Sequence, residues 1–204
     1  MRAVSRVEGR AVLIDRRDID TDQIIPAAWL KRVERTGFGA GLFESWRADP
    51  AFVLNTPAAS EARILVAGAN FGCGSSREHA VWALQDFGFE AVVAPSFADI
   101  FRGNSIGAGL VTAQAGENGV ATLIAALDSD PDANIIVDVA DRSVKIPAAG
   151  LRVSFELPDY AQWRLLEGLD DIGVTLRHAD AIAEFEQRRP RWLPDSGPRA
   201  HANA

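Results

Sequence analysis

Arg63-Ile64-Leu65-Val66-Ala67-Gly68-Ala69-Asn70-Phe71-Gly72-Cys73-Gly74-Ser75-Ser76-Arg77-Glu78-His79 is the stretch that decides how this 204-residue chain folds. Residues 63–68 read as a buried-strand run: behind Arg63, Ile64-Leu65-Val66-Ala67 is unbroken and apolar and ends in Gly68, the pattern of a strand buried on both faces. Residues 70–76 are a Gly/Ser loop. Residues 76–87 read as a helix with Ala80, Ala83, Leu84 and Phe87 on one face. Residues 91–94 repeat the buried-strand pattern, Ser96 is placed to cap a helix over 97–105, and 110–112 make a third short strand before a helix near 119–128. Strands and helices that alternate in this way pair their strands in parallel through right-handed crossovers.

Outward from that core the texture changes. Residues 1–15 read as two short strands around a turn at Glu8-Gly9-Arg10, and residues 16–62 look irregular with short helical pieces. Beyond residue 131, the segments 134–139 and 143–146 resemble a hairpin turning through Ala140-Asp141-Arg142. Residues 151–155 add a strand, and 159–168 and 172–188 are helical. The expected organisation is one domain over 1–190 and a Pro- and Ala-rich tail over 191–204, a composition that predicts disorder. No internal repeat is present.

Composition narrows the function. Hydrophobic residues make up 48% and charged residues 24%, enough for a sizeable core. A net charge of −7 argues against nucleic acid, whose phosphates need a basic surface. No apolar run is long enough to span a bilayer, and the opening residues have no apolar stretch of signal-peptide length, so a cytoplasmic location is expected. Cys73 is the sole cysteine, and His79, His178 and His201 are the only histidines. That inventory supplies neither a disulfide framework nor, from this chain alone, the ligands of a zinc site or iron–sulfur cluster. The expectation is no metal in this chain.

The loop at 70–79 joins a buried strand to a helix N-terminus, the place where α/β sheets take their ligands. Gly72 and Gly74 permit sharp turns, free N–H groups favour an anion, and Arg77 can fork onto a carboxylate. A second reading stays open, because Ser75 and Glu78 have capping-box spacing and could simply tie down the helix end. A dinucleotide loop lacks its third glycine, and a P-loop lacks Gly-Lys-Ser/Thr. A Cys73–His79 nucleophile pair is a further alternative. Asp18-Ile19-Asp20-Thr21-Asp22 alternates acids like a calcium loop, but Gln23 and Trp29 stand where glycine and glutamate are required. Lys31-Arg32-Val33-Glu34-Arg35-Thr36-Gly37-Phe38-Gly39 offers cations beside mobile glycines. Phe38 can serve there as an apolar contact or as a core residue.

The blocks Gly72 to Ala80, Trp82-Ala83-Leu84 and Ala94 to Phe101, with Asp20-Thr21-Asp22-Gln23-Ile24-Ile25-Pro26 and Arg35-Thr36-Gly37-Phe38-Gly39, resemble the small subunits of 3-isopropylmalate dehydratase, the swivelling domain of the aconitase superfamily. The resemblance spans roughly residues 5–190. It implies an α/β fold of the swivelling β/β/α type: a mixed sheet with a parallel βαβ core and flanking helices. It also implies a hydro-lyase that interconverts 2- and 3-isopropylmalate in leucine biosynthesis, or a sister enzyme for citraconate or homoaconitate. Ser75 would be the base and Ser76 and Arg77 the carboxylate contacts. Asp22 would orient a histidine on the other part of the active site. Arg35, Thr36, Gly37 and Phe38 would form the specificity loop, though which of Lys31, Arg32 and Arg35 points inward stays open. A large subunit would carry the [4Fe-4S] cluster, with Trp46 and Trp82 as interface residues. One departure stands out. Where the family usually carries Lys-Asn-Gly-Leu-Leu-Pro, this chain has Gly107-Ala108-Gly109-Leu110-Val111-Thr112.

Overall fold

The computed structural model describes residues 1–32, 34, 36–190 and 192. By contacts the chain divides into two units, Met1–Asp170 and Asp171–Ala204. The first contains β1 (Arg6–Gly9), β2 (Ala11–Ile14), α1 (Thr21–Ile24), α2 (Glu44–Arg47), β3 (Ile64–Ala67), α3 (Glu78–Phe87), β4 (Ala91–Ala94) and α4 (Asp99–Ala108). It continues through β5 (Val111–Gln114), α5 (Gly116–Ser129), β6 (Ile135–Asp138), β7 (Ser143–Ile146), β8 (Leu151–Ser154) and α6 (Asp159–Glu167).

The mixed topology is shared between two sheets. One is parallel in the order β2-β3-β4-β5, and the other is antiparallel in the order β1-β6-β7-β8. Alternation along β3 shows why they stack. Ile64 and Val66 point into the layer between the sheets, where they join Ile135, Val137, Val144 and Ile146 and the apolar stripe Val120, Leu123 and Leu127 of α5. Leu65 and Ala67 point the other way, onto Ala80, Ala83 and Leu84 of α3 and onto Ile19, Ile24 and Phe43 from the irregular N-terminal segment. With about 1.5–3 kcal/mol for each large apolar side chain buried, both faces of the parallel sheet are core.

Three local expectations change. The turn expected at Glu8-Gly9-Arg10 is absent, since β1 runs through Gly9; with only Arg10 between them, β1 joins the antiparallel sheet and β2 the parallel one. Val7 and Val12 are both buried, so each strand follows its own apolar face into a different layer. Ser96 does not cap a helix, because α4 starts at Asp99 and the Ser96 hydroxyl accepts the Asn70 N–H at 2.9 Å. The expected helix over 172–188 is two helices, α7 (Asp171–Leu176) and α8 (Ala179–Arg188), with a turn closed by Arg177 and His178 N–H bonds to Val174 and Thr175.

Among its described residues the second unit contains α7 and α8 and buries none. It exposes Ile172, Leu176, Ile182, Phe185 and Trp192. The tail expected over 191–204 lies outside the described residues apart from Trp192. No helix among the described residues is long and apolar enough to cross a membrane.

Candidate active site

The Gly/Ser loop is held by a neighbour the sequence does not announce. Residues 16–22 run beside residues 68–75 and exchange backbone hydrogen bonds along their length: Gly68 N–H to Arg16 O, Asp18 N–H to Ala69 O, Gly72 N–H to Ile19 O and Thr21 N–H to Cys73 O, at 3.1, 2.8, 2.8 and 2.9 Å. At Gly68, Cβ would lie 2.3 Å from Arg16 O, so only glycine lets the segments approach. The alternating acids divide the local work. Asp18 accepts the Asn70 side-chain amide at 2.8 Å, and Asp20 caps α1 in a reciprocal capping box with Gln23. That leaves Asp22 facing the loop.

Gly72 and Gly74 take positive φ of 78° and 92°. At Gly72 a Cβ would lie 2.2 Å from Phe101, so the loop closes down on α4 there and on nothing larger than hydrogen. Past Gly74 the chain reaches Ser75 and Ser76, both exposed, before α3 begins at Glu78. The capping alternative is not realised. The N-cap of α3 is Arg77, and no side chain bonds to the helix end. Instead, the backbone N–H groups of Gly74, Ser75, Ser76 and Arg77 meet no acceptor among the described residues. Four successive free donors ahead of the positive end of a helix are able to receive an anion, and the loop is termed the cradle.

Arg77 lies at the back of the cradle, with 12% of its side chain exposed. Its guanidinium forks onto the Asp22 carboxylate at 2.5 and 2.8 Å, so the structure already shows a carboxylate seated on it. Asp22 is 57% exposed, and an ion pair this open to water contributes about 0–1 kcal/mol. A ligand carboxylate that also meets the free N–H groups can therefore compete for the fork.

The specificity loop is only partly brought in. Arg35 lies outside the described residues. Thr36 and Gly37 are exposed, and Gly37 turns with φ of 83°. Phe38 is fully buried: its ring packs on His79 and Trp82 at 5.2 and 5.7 Å, and its N–H donates to Asp86 at 2.8 Å. The expectation that Phe38 contacts substrate gives way to the core reading, because no edge of the ring is open to a ligand. Arg32 does not point at the cradle but lies over Trp29 and bonds to Gly37 O. Trp46 and Trp82 are half-buried against the core, Trp46 between Phe43 and Arg16.

Cys73 has its thiol pKa raised, first by burial and then by the Asp20 and Asp18 carboxylates. His79 is engaged with two aromatic rings. A thiol kept protonated by these surroundings is a poor nucleophile and a poor metal ligand. A single such sulfur does not fit the demands of an iron–sulfur cluster. Among the described residues, no group of three His, Cys, Asp or Glu side chains is arranged to hold a metal ion.

Two layers of sheet beside a glycine-cradled Ser-Ser-Arg loop define the class. Residues 1–118 match the aconitase C-terminal domain, and residues 171–194 match the C-terminal domain of 3-isopropylmalate dehydratase small subunits. A 3-isopropylmalate dehydratase small subunit from Frankia alni is 60% identical over 196 residues, covering 96% of this chain and all of that one. Its counterpart in Rubrobacter xylanophilus is 53% identical over 194 residues, covering 95% and 98%. The crystal structure of 3-isopropylmalate dehydratase from Methanocaldococcus jannaschii superposes with a TM-score of 0.67 at 27% identity, covering 88% of this chain and 98% of that one. The chain belongs to the family of 3-isopropylmalate dehydratase small subunits.

Proposed function

We propose that this chain is the substrate-gripping subunit of a hydro-lyase that interconverts 2- and 3-isopropylmalate in leucine biosynthesis, in the cytoplasm. The observation that carries this reading is the row of four unoccupied N–H donors beside the exposed Ser75 and the Arg77 fork. Ser76 and Arg77 hold a substrate carboxylate, which displaces Asp22 from the guanidinium. Asp22 is then free to orient a histidine of the partner. Ser75 takes the proton alpha to the carboxylate. An alcohol titrating like bulk water sits near ~15.7, and bringing it to ~8 requires about 10 kcal/mol at about 1.36 per unit. One oxyanion donor supplies about 3–4 kcal/mol. Two or three cradle N–H groups together with the Arg77 cation reach that scale.

The [4Fe-4S] cluster belongs to a large subunit in this reading, where it supplies Lewis-acid chemistry at the departing hydroxyl. Ser75 stands on an open surface, so a second chain is needed to exclude water from the reaction. Because Phe38 is buried, the isopropyl group must be recognised by other residues, which keeps a sister diacid in contention. The test is to purify the chain with its iron–sulfur partner and assay isopropylmalate, citraconate and homoaconitate. Partner-dependent turnover with preference for isopropylmalate is expected. A stronger preference for another diacid would reassign the substrate, and no turnover of any would remove the enzymatic reading.

A further inference from the structure

Thr21 is 2% exposed, one of few fully buried polar side chains, and both of its donors are aimed at the loop. Its N–H donates to Cys73 O at 2.9 Å and its hydroxyl to Ser75 O at 3.0 Å. Thr21 is the first residue of α1, inside the Asp20–Gln23 capping box, so its own backbone is fixed. One residue thus grips the carbonyls on either side of Gly74. Gly74's φ of 92° lets both carbonyls face the same way, and a Cβ there would come within 3.4 Å of the Thr21 hydroxyl.

A trans peptide is planar, with its C=O and N–H on opposite sides. Holding Cys73 O toward Thr21 turns the Gly74 N–H away from it, and holding Ser75 O there does the same for the Ser76 N–H. Both are among the four donors without an acceptor. We propose that Thr21 is the positioning residue of the cradle: from below, it aims the Gly74 and Ser76 N–H groups out of the loop, where they serve both the oxyanion that forms at Ser75 and the substrate anion beside it. This rests on the reading of the loop as the active loop. Thr21 itself touches neither substrate nor the reacting atoms; it acts through the backbone.

The variants Thr21→Val, which keeps the shape and loses the donor, and Thr21→Ser, which keeps the donor, separate this role from packing. In the complex with the large subunit, Thr21→Val should lower kcat about 10²-fold, the loss of one oxyanion donor. It should also move the acidic limb of the pH profile upward, because the Ser75 alkoxide loses stabilisation. Thr21→Ser should restore both. In the isolated chain, titration with malonate should shift the Gly74 amide resonance in all three proteins, because the backbone N–H of residue 21 still holds Cys73 O, and the Ser76 resonance in wild type and Thr21→Ser but not in Thr21→Val. Wild-type kcat and pH profile in Thr21→Val, equal damage from Thr21→Ser, or no malonate shift at those amides in wild type would each overturn the proposal. The malonate measurement is independent of turnover. Normal activity in Ser75→Ala would remove the serine-base reading and leave the judgement on Thr21 to the amide shifts.

Discussion

The two sheets of the first unit are built from strands of equal length, yet they treat their polar groups in opposite ways. At the end of the antiparallel sheet, the turn between β6 and β7 is closed by bonds within the chain. Lys145 reaches Asp138 and Asp141 at 3.1 and 2.8 Å, Arg152 reaches Asp141 at 2.8 Å, and the Ser143 hydroxyl adds a further bond to Asp141. At the end of the parallel sheet, the loop after β3 leaves four backbone donors and an exposed serine hydroxyl without partners among the described residues. Unsatisfied donors do not stabilise a fold. They persist because glycine geometry and the 16–22 segment hold the backbone in place, and they are available to a ligand. The contrast separates a layer whose end is closed on itself from one whose end is open to a ligand.

Four experiments break or sharpen that contrast. Ser75→Ala should reduce turnover of the assembled enzyme by about 10²–10⁴-fold, the usual contribution of a positioned base, while assembly survives because the side chain is exposed. Near-normal turnover would strip the parallel end of its catalytic group. Gly72→Ala should lower stability by about 2–4 kcal/mol, read as a reduced Tm, since positive φ and overlap with Phe101 act together. An unchanged Tm would mean that the loop is not clamped on α4. Arg77→Lys should raise KM about tenfold, or about 1.4 kcal/mol, because a point charge replaces a two-pronged fork. An unchanged KM would assign Arg77 to Asp22 alone.

The smallest effect belongs to the antiparallel layer. Lys145 and Ser143 hydrogen bonds lower the Asp141 carboxyl from 3.8 to about 2. A depressed carboxyl contributes stability above its ordinary pKa and loses it as pH falls through the folded value. The β6–β7 turn should therefore loosen between about pH 4 and 2. Lys145 is raised by Asp141 and Asp138, so its share is complete below 10.5 and fades as pH rises past that value. Amide exchange at residues 138–145 that stays unchanged on acidification would show that the network contributes nothing.

Much of this was readable in advance where a local pattern had a single physical meaning. Buried apolar runs alternating with helical periodicity placed β3, β4 and β5 in parallel, and the pattern around Ala140-Asp141-Arg142 placed the β6–β7 hairpin. Where one residue type satisfies two geometries, the pattern failed. Ser75 and Glu78 have the spacing of a capping box, but the capping box in this region is Asp20–Gln23. Phe38 sits in a glycine-rich polar stretch and still belongs to the core. Thr21 stood in an acidic run and in one of the blocks that carry the resemblance, but neither gave it a role, since its partners lie 52 and 54 residues away.

The amino-acid order alone determined the parallel βαβ core, the count of one cysteine and three histidines, and the family to which the Gly-Ser-Ser-Arg loop points, because these depend on residue type and on contacts close along the chain. Tertiary structure alone decided that β1 and β2 part into different sheets and that Asp22 occupies the Arg77 fork. It also decided that the loop is supported by the segment at 16–22. Those outcomes depend on which distant backbone groups are left to pair once both faces of the parallel sheet are buried, and no short stretch of sequence contains that competition.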